Sequence, residues 1–194
     1  MKSNRVKIKD IKVLSDDYYL LKKFTFDYLR NDGNWQTQIR ESYDRGNGAS
    51  VFMYNKATKN IILIRQFRLP SYLNGNNSGL LIETCAGLLD ADDPETCIKK
   101  EIFEETGYKI EAVTKIFEAF MTPGAVTEQI HYFIAEYTDS MRMSKGGGLP
   151  SEQEDIEVLE MPFTKAIDLL NEGQIKDAKT ILLLQYAIIH KLLE

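Results

Sequence analysis

The sequence predicts an α/β or α+β fold in which mixed β-strands are covered by α-helices. Three observations support this class: strand-like runs dominate the first part of the chain, one clearly delimited helix lies among them, and two helices close the chain. With 194 residues, 43% of them hydrophobic, the chain can bury a substantial core. We expect a small N-terminal β subdomain over residues 1–46, followed by the main domain over residues 47–194.

The N-terminal part has the pattern of a β-hairpin. Strand formers fill residues 18–30, and the turn signal Asn-Asp-Gly-Asn follows at 31–34. A second strand is predicted over residues 35–43, and the glycines at 46 and 48 separate this hairpin from the core that begins at Ala49.

The main domain alternates apolar runs with turns. Strands are predicted over residues 49–55, 60–66, 80–83, 109–121 and 129–137, and C-terminal helices over 163–171 and 178–192. The helix in the middle has clear end signals: Asp93 can cap it, Pro94 suits its first turn, Glu95 favours its positive end, and Gly107 ends it. A loop with three consecutive glycines, 146–148, precedes the C-terminal helices.

Composition and charge exclude several classes of function. The net charge of -5 and pI near 5.2 argue against a nucleic-acid binder, which usually presents a basic face to phosphates. No apolar stretch is long enough to span a bilayer, and the N-terminus lacks a signal-peptide core, so no membrane partner is expected. Cys85 and Cys97 fit small buried side chains in a reducing compartment, and the protein is expected to be cytoplasmic.

The informative cluster is acidic and lies on the central helix. Glu101, Glu104 and Glu105 stand at positions i, i+3 and i+4, so on an α-helix they share one face. Three such carboxylates repel one another, whereas hard oxygen ligands gathered in this way suit Mg²⁺ or Mn²⁺. A pair of glutamates alone would favour a solvated acidic face. The Ala86-Gly87 loop, which allows a backbone to approach a phosphate or metal, shifts the interpretation toward a site.

Residues 87–108 resemble the Nudix box, G-x5-E-x7-R-E-U-x-E-E-x-G-U, where U is apolar. The match is close over residues 100–108, except that Lys100 replaces the arginine. The stretch from Gly87 to Glu101 is one residue shorter than the pattern, and Asp92 or Asp93 takes the early glutamate position. Segments 43–49, 64–68, 83–90, 121–124 and 155–158 are similar to the ADP-ribose pyrophosphatase branch, and most of all to its bacterial members that hydrolyse GDP-mannose.

This resemblance implies a Nudix fold and Mg²⁺-dependent hydrolysis of the pyrophosphate bond of a nucleotide sugar, with Mn²⁺ as a possible substitute. The leading reaction is GDP-mannose to GMP and mannose 1-phosphate. The implied metal ligands are the carbonyl of Ala86 and the carboxylates of Glu101, Glu105 and Glu154, and Glu104 is a further catalytic carboxylate. Glu152 and Asp155 share the loop of Glu154, which is favoured because it adjoins the similar segment 155–158.

The resemblance also implies a substrate pocket that is shared across a homodimer. Arg68 is the candidate cationic clamp on the diphosphate. The full implied set of substrate-binding residues is Tyr18, Ile39, Arg40, Glu41, Arg68, Ala86, Gly87, Glu128, Gln153 and Lys179.

Two other functions remain open from the sequence. One keeps the fold and chemistry but takes ADP-ribose or another ADP-sugar as substrate. The other is a non-catalytic sensor of a nucleotide metabolite. The intact glutamates of the box and the acidic composition place the sensor behind the enzymes.

Overall fold

The computed structural model describes residues 4–193, and its chain divides into two compact units. One unit runs to Asn47 and also includes Phe120–Gln129. The other contains Gly48–Ala119 and continues from Ile130.

The smaller unit is built on a three-stranded antiparallel sheet in the order β1-β2-β3. Its strands are β1 (Val6–Asp16), β2 (Leu20–Leu29) and β3 (Trp35–Asp44). The predicted hairpin is therefore confirmed as β2 and β3, whereas β1 was not predicted.

An apolar stripe runs along one face of this sheet. Register shifts between Ile8 and Asp10 and between Val13 and Ser15 mark two irregularities in β1. Because the first shift inserts one residue, Ile8 and Ile11 lie opposite alternate residues of β2 and stay on the same face. We call this surface the apolar face, and its β1 side chains are all well exposed: Val6, Ile8, Ile11 and Val13.

The larger unit contains the seven-stranded sheet, in the order β10-β5-β4-β9-β8, with β6 paired to β5 and β7 to β4. Strands β4 and β9 are parallel, and β4 is antiparallel to β5 and β7. The strands are β4 (Gly48–Tyr54), β5 (Asn60–Phe67), β6 (Leu80–Glu83), β7 (Ala86–Leu88), β8 (Thr114–Phe120), β9 (Gln129–Glu136) and β10 (Glu157–Pro162).

The hydrophobic core lies between this sheet and the central helix. Strand β4 is buried along its whole length, as a strand with neighbours on both edges and cover on its faces should be. Ile98 and Ile102 of the helical segment join Val51 and Met53 of β4 in one apolar cluster, which Phe133 of β9 extends. The burial of this cluster is the driving force that fixes the central helix against β4.

The helices are α1 (Leu69–Leu73), α2 (Pro94–Glu101), α3 (Phe163–Asn171) and α4 (Ala178–Ile189). The start predicted for the central helix is confirmed: the Asp93 carboxylate accepts hydrogen bonds from the N–H groups of Glu95 and Thr96, at 3.0 and 3.2 Å, and Pro94 opens the first turn. Gly107 ends the helical segment with φ of 80°, a left-handed conformation that favours glycine.

Three predicted elements need correction. The central helix is not α-helical to its end, because a five-residue π-turn, Ile102–Thr106, follows α2. The strand predicted over 109–121 starts only at Thr114, because Lys109 bonds instead to the carbonyl of Met141 and Ile110 is buried in the core. The last helix ends at Ile189, three residues before the predicted end.

Among residues 4–193, no helix combines the length and the apolar character that a bilayer crossing requires.

Candidate active site

Two carboxylates of the helical segment meet consecutive residues of β7. The Glu105 carboxylate accepts a hydrogen bond from the N–H of Ala86, with 3.1 Å between Oε2 and N. The Glu101 carboxylate occupies the space beside Gly87, where any Cβ would overlap it. Gly87 is therefore required by close approach, since a larger residue would displace Glu101.

The π-turn belongs to the construction of this site. Glu101 closes α2, while Glu104 and Glu105 lie in the π-turn itself. A π-turn widens the helix by one residue, and such insertions are frequent at functional sites. The predicted face with α-helical spacing is therefore replaced by a wider turn, although Glu101 and Glu105 still reach β7 together.

The electrostatics of the cluster show uncompensated negative charge. Burial raises the pKa of Glu105 to about 8, and the charges of Glu101 and Glu154 act in the same direction. Hydrogen bonds from Cys85 and from the Ala86 N–H oppose this rise without cancelling it. The pKa of Glu101 is raised to about 7 by burial, then by Glu104 and Glu154. A cation between these groups would remove the conflict.

The loop with three consecutive glycines, 146–148, is bound to the π-turn. The N–H of Gly147 donates to the carbonyl of Glu105 at 2.9 Å, and that of Gly148 donates to the carbonyl of Glu104 at 3.0 Å. The next N–H, of Leu149, donates to Oε2 of Glu154 at 2.9 Å. We call residues 146–149 the glycine strap, because three consecutive N–H groups join the π-turn to the carboxylate of Glu154.

The donor set fits a divalent cation. The carboxylate oxygens of Glu101 and Glu105, whose pKa values are raised, are hard ligands of the kind that Mg²⁺ and Mn²⁺ prefer. Within residues 4–193, no three His, Cys, Asp or Glu side chains are grouped closely enough to hold a metal ion as they stand. The Glu154 carboxylate accepts a hydrogen bond from the N–H of Leu149. Its role as a metal ligand stays a prediction.

Arg68 and Lys179, both predicted to bind substrate, are held by one buried carboxylate. Arg68 donates to Glu83 through Nε at 2.8 Å and Nη2 at 3.0 Å. Lys179 Nζ lies 3.4 Å from Oε2 of the same Glu83 and 2.7 Å from Oδ1 of Asp177. Burial lowers the pKa of Arg68, but the hydrogen bonds and charge of Glu83 outweigh burial, and the pKa is raised overall.

Glu83 and Asp177 were not predicted as functional residues. Glu83 had a visible signal, since it is a charged residue directly after the apolar run 80–82. Asp177 had the signal of a helix cap, and its carboxylate does accept the N–H of Thr180 at 2.9 Å.

The remaining predicted substrate contacts lie on loops and in the smaller unit. Tyr18 is 85% exposed and packs edge-on against Tyr19, with ring centroids 4.7 Å apart. Glu128 forms an ion pair with Arg45 at 3.4 Å. The others are exposed, namely Ile39, Arg40 and Glu41 on β3 and Gln153, which has φ of 60°. Their roles in binding remain predictions.

Comparison with known proteins gives two family matches and close relatives. Residues 44–184 match the model of the NUDIX domain, and residues 5–43 match that of the GDP-mannose pyrophosphatase NudK N-terminal domain. The chain is 54% identical over 187 residues to a GDP-mannose pyrophosphatase of Pectobacterium atrosepticum, covering 96% of each chain. Similar enzymes of Salmonella arizonae and Escherichia coli are 55% and 57% identical, over 96% and 92% of each chain.

The sequence resemblance, the acidic cluster at the π-turn and these matches all indicate the same family. Nudix hydrolases generally need a divalent metal ion, for which the carboxylates beside β7 supply the appropriate chemistry. The chain therefore belongs to the Nudix hydrolase family.

Proposed function

We propose that this protein hydrolyses the pyrophosphate bond of GDP-mannose to give GMP and mannose 1-phosphate, with Mg²⁺ as its metal ion. The observation that carries the proposal is the 54–57% identity, over more than nine-tenths of each chain, to GDP-mannose pyrophosphatases. The match of residues 5–43 to the N-terminal domain of such an enzyme supports the same substrate.

In the larger unit, one set of residues is proposed to bind the metal ion and another to bind the diphosphate. The proposed metal ligands are Glu101, Glu105, Glu154 and the carbonyl of Ala86. A metal ion held by these groups would neutralise the diphosphate and would lower the pKa of a bound water molecule. Arg68 supplies a planar guanidinium that can bind two phosphate oxygens together, which favours it as the clamp on the diphosphate.

We further propose that the functional form is a homodimer. Residues 1–46 would form the dimerisation subdomain and residues 47–194 the hydrolase domain. Support comes from the apolar face of the three-stranded sheet, where the β1 side chains Ile8 and Ile11 are each 53% exposed. Several exposed apolar side chains on one face of a sheet are typical of an interaction site. The free buried thiols of Cys85 and Cys97 fit action in a reducing compartment such as the cytoplasm.

A turnover panel tests the substrate and the metal together. Purified protein would be assayed with GDP-mannose, ADP-ribose and ADP-glucose, each with Mg²⁺, with Mn²⁺ and with excess EDTA. We expect the highest kcat/KM for GDP-mannose with Mg²⁺, release of GMP and mannose 1-phosphate, and no turnover with EDTA. A higher kcat/KM for ADP-ribose would overturn the substrate, and binding without turnover under every condition would identify a sensor.

A further inference from the structure

Glu83 is a buried carboxylate that contacts two cationic side chains. Its own side chain is 1% exposed, while those of Arg68 and Lys179 are 40% and 17% exposed. A charge buried to this degree is costly unless it is paired and hydrogen-bonded. Among residues 4–193, the side chains that contact the Glu83 carboxylate are those of Arg68 and Lys179, so the three groups form one unit.

The three residues come from three different elements. Arg68 follows β5, Glu83 closes β6, and Lys179 lies in the first turn of α4. Strands β5 and β6 are paired, with Glu83 opposite Ile64. The start of α4 is joined to the same place, since Thr180 Oγ1 accepts the N–H of Thr84 at 2.7 Å. Strand pairing and this hydrogen bond therefore hold together the three backbone segments that carry the three charges.

The arrangement leaves binding capacity on both cations. Arg68 uses Nε and Nη2 toward Glu83, which leaves the rest of its guanidinium edge on a partly exposed side chain. Lys179 has three donors and contacts two carboxylates, Glu83 and Asp177. Two cations this close repel each other, and the carboxylate between them removes that repulsion.

We propose that Glu83 is a positioning residue that holds Arg68 and Lys179 together as a paired clamp for the diphosphate of the substrate. The proposal rests on the proposed function in one respect, because the clamp requires a substrate with a diphosphate. It does not depend on which base or sugar that substrate carries. Preorganised cations of this kind bind phosphate oxygens without first paying the cost of ordering.

The test measures binding separately from turnover. Glu83→Gln keeps the size of the side chain but removes its charge. Calorimetry would follow the binding of α,β-methylene analogues of GDP and ADP in the presence of Mg²⁺, since the wild-type protein cannot hydrolyse the methylene bridge. We expect E83Q to weaken the Kd of the preferred analogue by about tenfold or more.

The chain offers a matched control in Glu157. This glutamate, on β10, pairs with Arg65 of β5 through a 2.7 Å hydrogen bond from Nε, but its side chain is 52% exposed. We expect E157Q to change the Kd by less than about twofold, as for an exposed ion pair. An equal loss in E83Q and E157Q would overturn the proposal.

A double-mutant cycle separates positioning from general stabilisation. If Glu83 acts through the two cations, E83Q should change the Kd by less than about twofold in a protein that already carries Arg68→Ala and Lys179→Ala. A full additional loss in that background would overturn the proposal. Glu83→Asp keeps the charge and should bind the analogue more tightly than E83Q. Because the aspartate side chain is one methylene shorter, E83D should still bind more weakly than the wild type. Should E83Q not fold, E83D is compared with the wild type, and an equal Kd for the two proteins would refute the proposal.

Failure of the two proposals can be told apart. If the wild-type protein binds a diphosphate analogue but does not hydrolyse GDP-mannose, the substrate assignment fails and the clamp remains testable. If it binds neither analogue, the clamp itself is refuted.

Discussion

Glu105 shows how one side chain sets activity against stability. In the folded protein its pKa is raised from 4.5 to about 8, mainly by burial. The folded state therefore binds a proton at this carboxyl more tightly than the unfolded state does. The resulting stability is fully present below pH 4.5 and is lost as the pH rises through about 8. A cation at the site would compensate for this loss by neutralising the carboxylate.

Replacing Glu105 by Gln should move activity and stability in opposite directions. We expect hydrolysis to fall by about a hundredfold or more, because an amide is a poor metal ligand. In EDTA at pH 8, we expect the variant to have a higher Tm than the wild type, because its side chain at position 105 has no buried carboxyl group to ionise.

Thermal unfolding of both proteins in EDTA at pH 5 and pH 8 provides the measurement. The difference in Tm between the two pH values should be smaller in E105Q than in the wild type. Glu104→Gln is the control. The pKa of Glu104 is also raised, but the charge of Lys100, with Nζ 4.0 Å from Oε1, opposes that rise. A Tm for E105Q below that of wild type at pH 8 would contradict the electrostatic account.

At the scale of elements, the π-turn and the glycine strap depend on each other. The end of a helix leaves carbonyls without intrahelical partners, and Glu104 and Glu105 find theirs in the strap. The strap can approach so closely because Gly146 and Gly148 have φ values of 67° and 80° and carry no Cβ. The proposed ligand Glu154 is thereby tied to the turn that carries Glu105.

Gly148→Ala tests this dependence. A Cβ at this position would lie 2.5 Å from Oε2 of Glu154, in a backbone conformation that alanine disfavours. We expect kcat to fall by about tenfold or more, because a displacement of about 1 Å in a catalytic group costs up to a hundredfold.

Gly173→Ala is the matched control for the effect of placing alanine in a left-handed backbone conformation. Gly173 has φ of 70°, and among residues 4–193, its two chain neighbours aside, no atom lies within 4 Å of a Cβ built there. Alanine at this site should cost about 1–2 kcal/mol of stability through the left-handed conformation alone, with kcat unchanged. Unfolding curves and steady-state kinetics on both variants give the comparison, and equal kcat values for G148A and wild type would count against a role for the strap.

Local signals explain which elements could be predicted from the sequence. Asp93, Pro94 and Gly107 define the ends of the central helix by short-range chemistry, and the structure confirms both ends. By contrast, β7 has only three residues, Ala86–Leu88, too few for an alternating pattern. The π-turn has no recognised sequence pattern, and its hydrogen bonds to the strap join residues that are about forty positions apart in the chain. For the same reason, the pairing of Glu83 with Arg68 required the tertiary structure.

At the scale of the whole molecule, the apolar face is the basis for association. One side of β1 carries four apolar residues, Val6, Ile8, Ile11 and Val13. Ile8 lies opposite Phe26 of β2, and Ile11 lies opposite Phe24. A charge introduced there should prevent a second copy from binding, because desolvating an unpaired carboxylate is costly.

Ile11→Asp is therefore expected to convert the proposed dimer into a monomer. Ile39→Asp is the matched control: Ile39 is also 53% exposed, but it pairs with Thr25 and so lies on the opposite face of the sheet. Light scattering coupled to size-exclusion chromatography would report the mass of each variant. A monomeric wild type, or a dimeric I11D, would refute the assignment of this face.

The irregular register of β1 has a consequence for how copies can add to one another. A regular outer strand would offer unpaired N–H and C=O groups to any incoming chain and could seed unlimited fibrous growth. The two shifts in β1 interrupt that template, and Lys9, held by Asp27 at 2.8 Å, places a charge along it. Self-association of this protein should therefore stop at a closed, countable assembly.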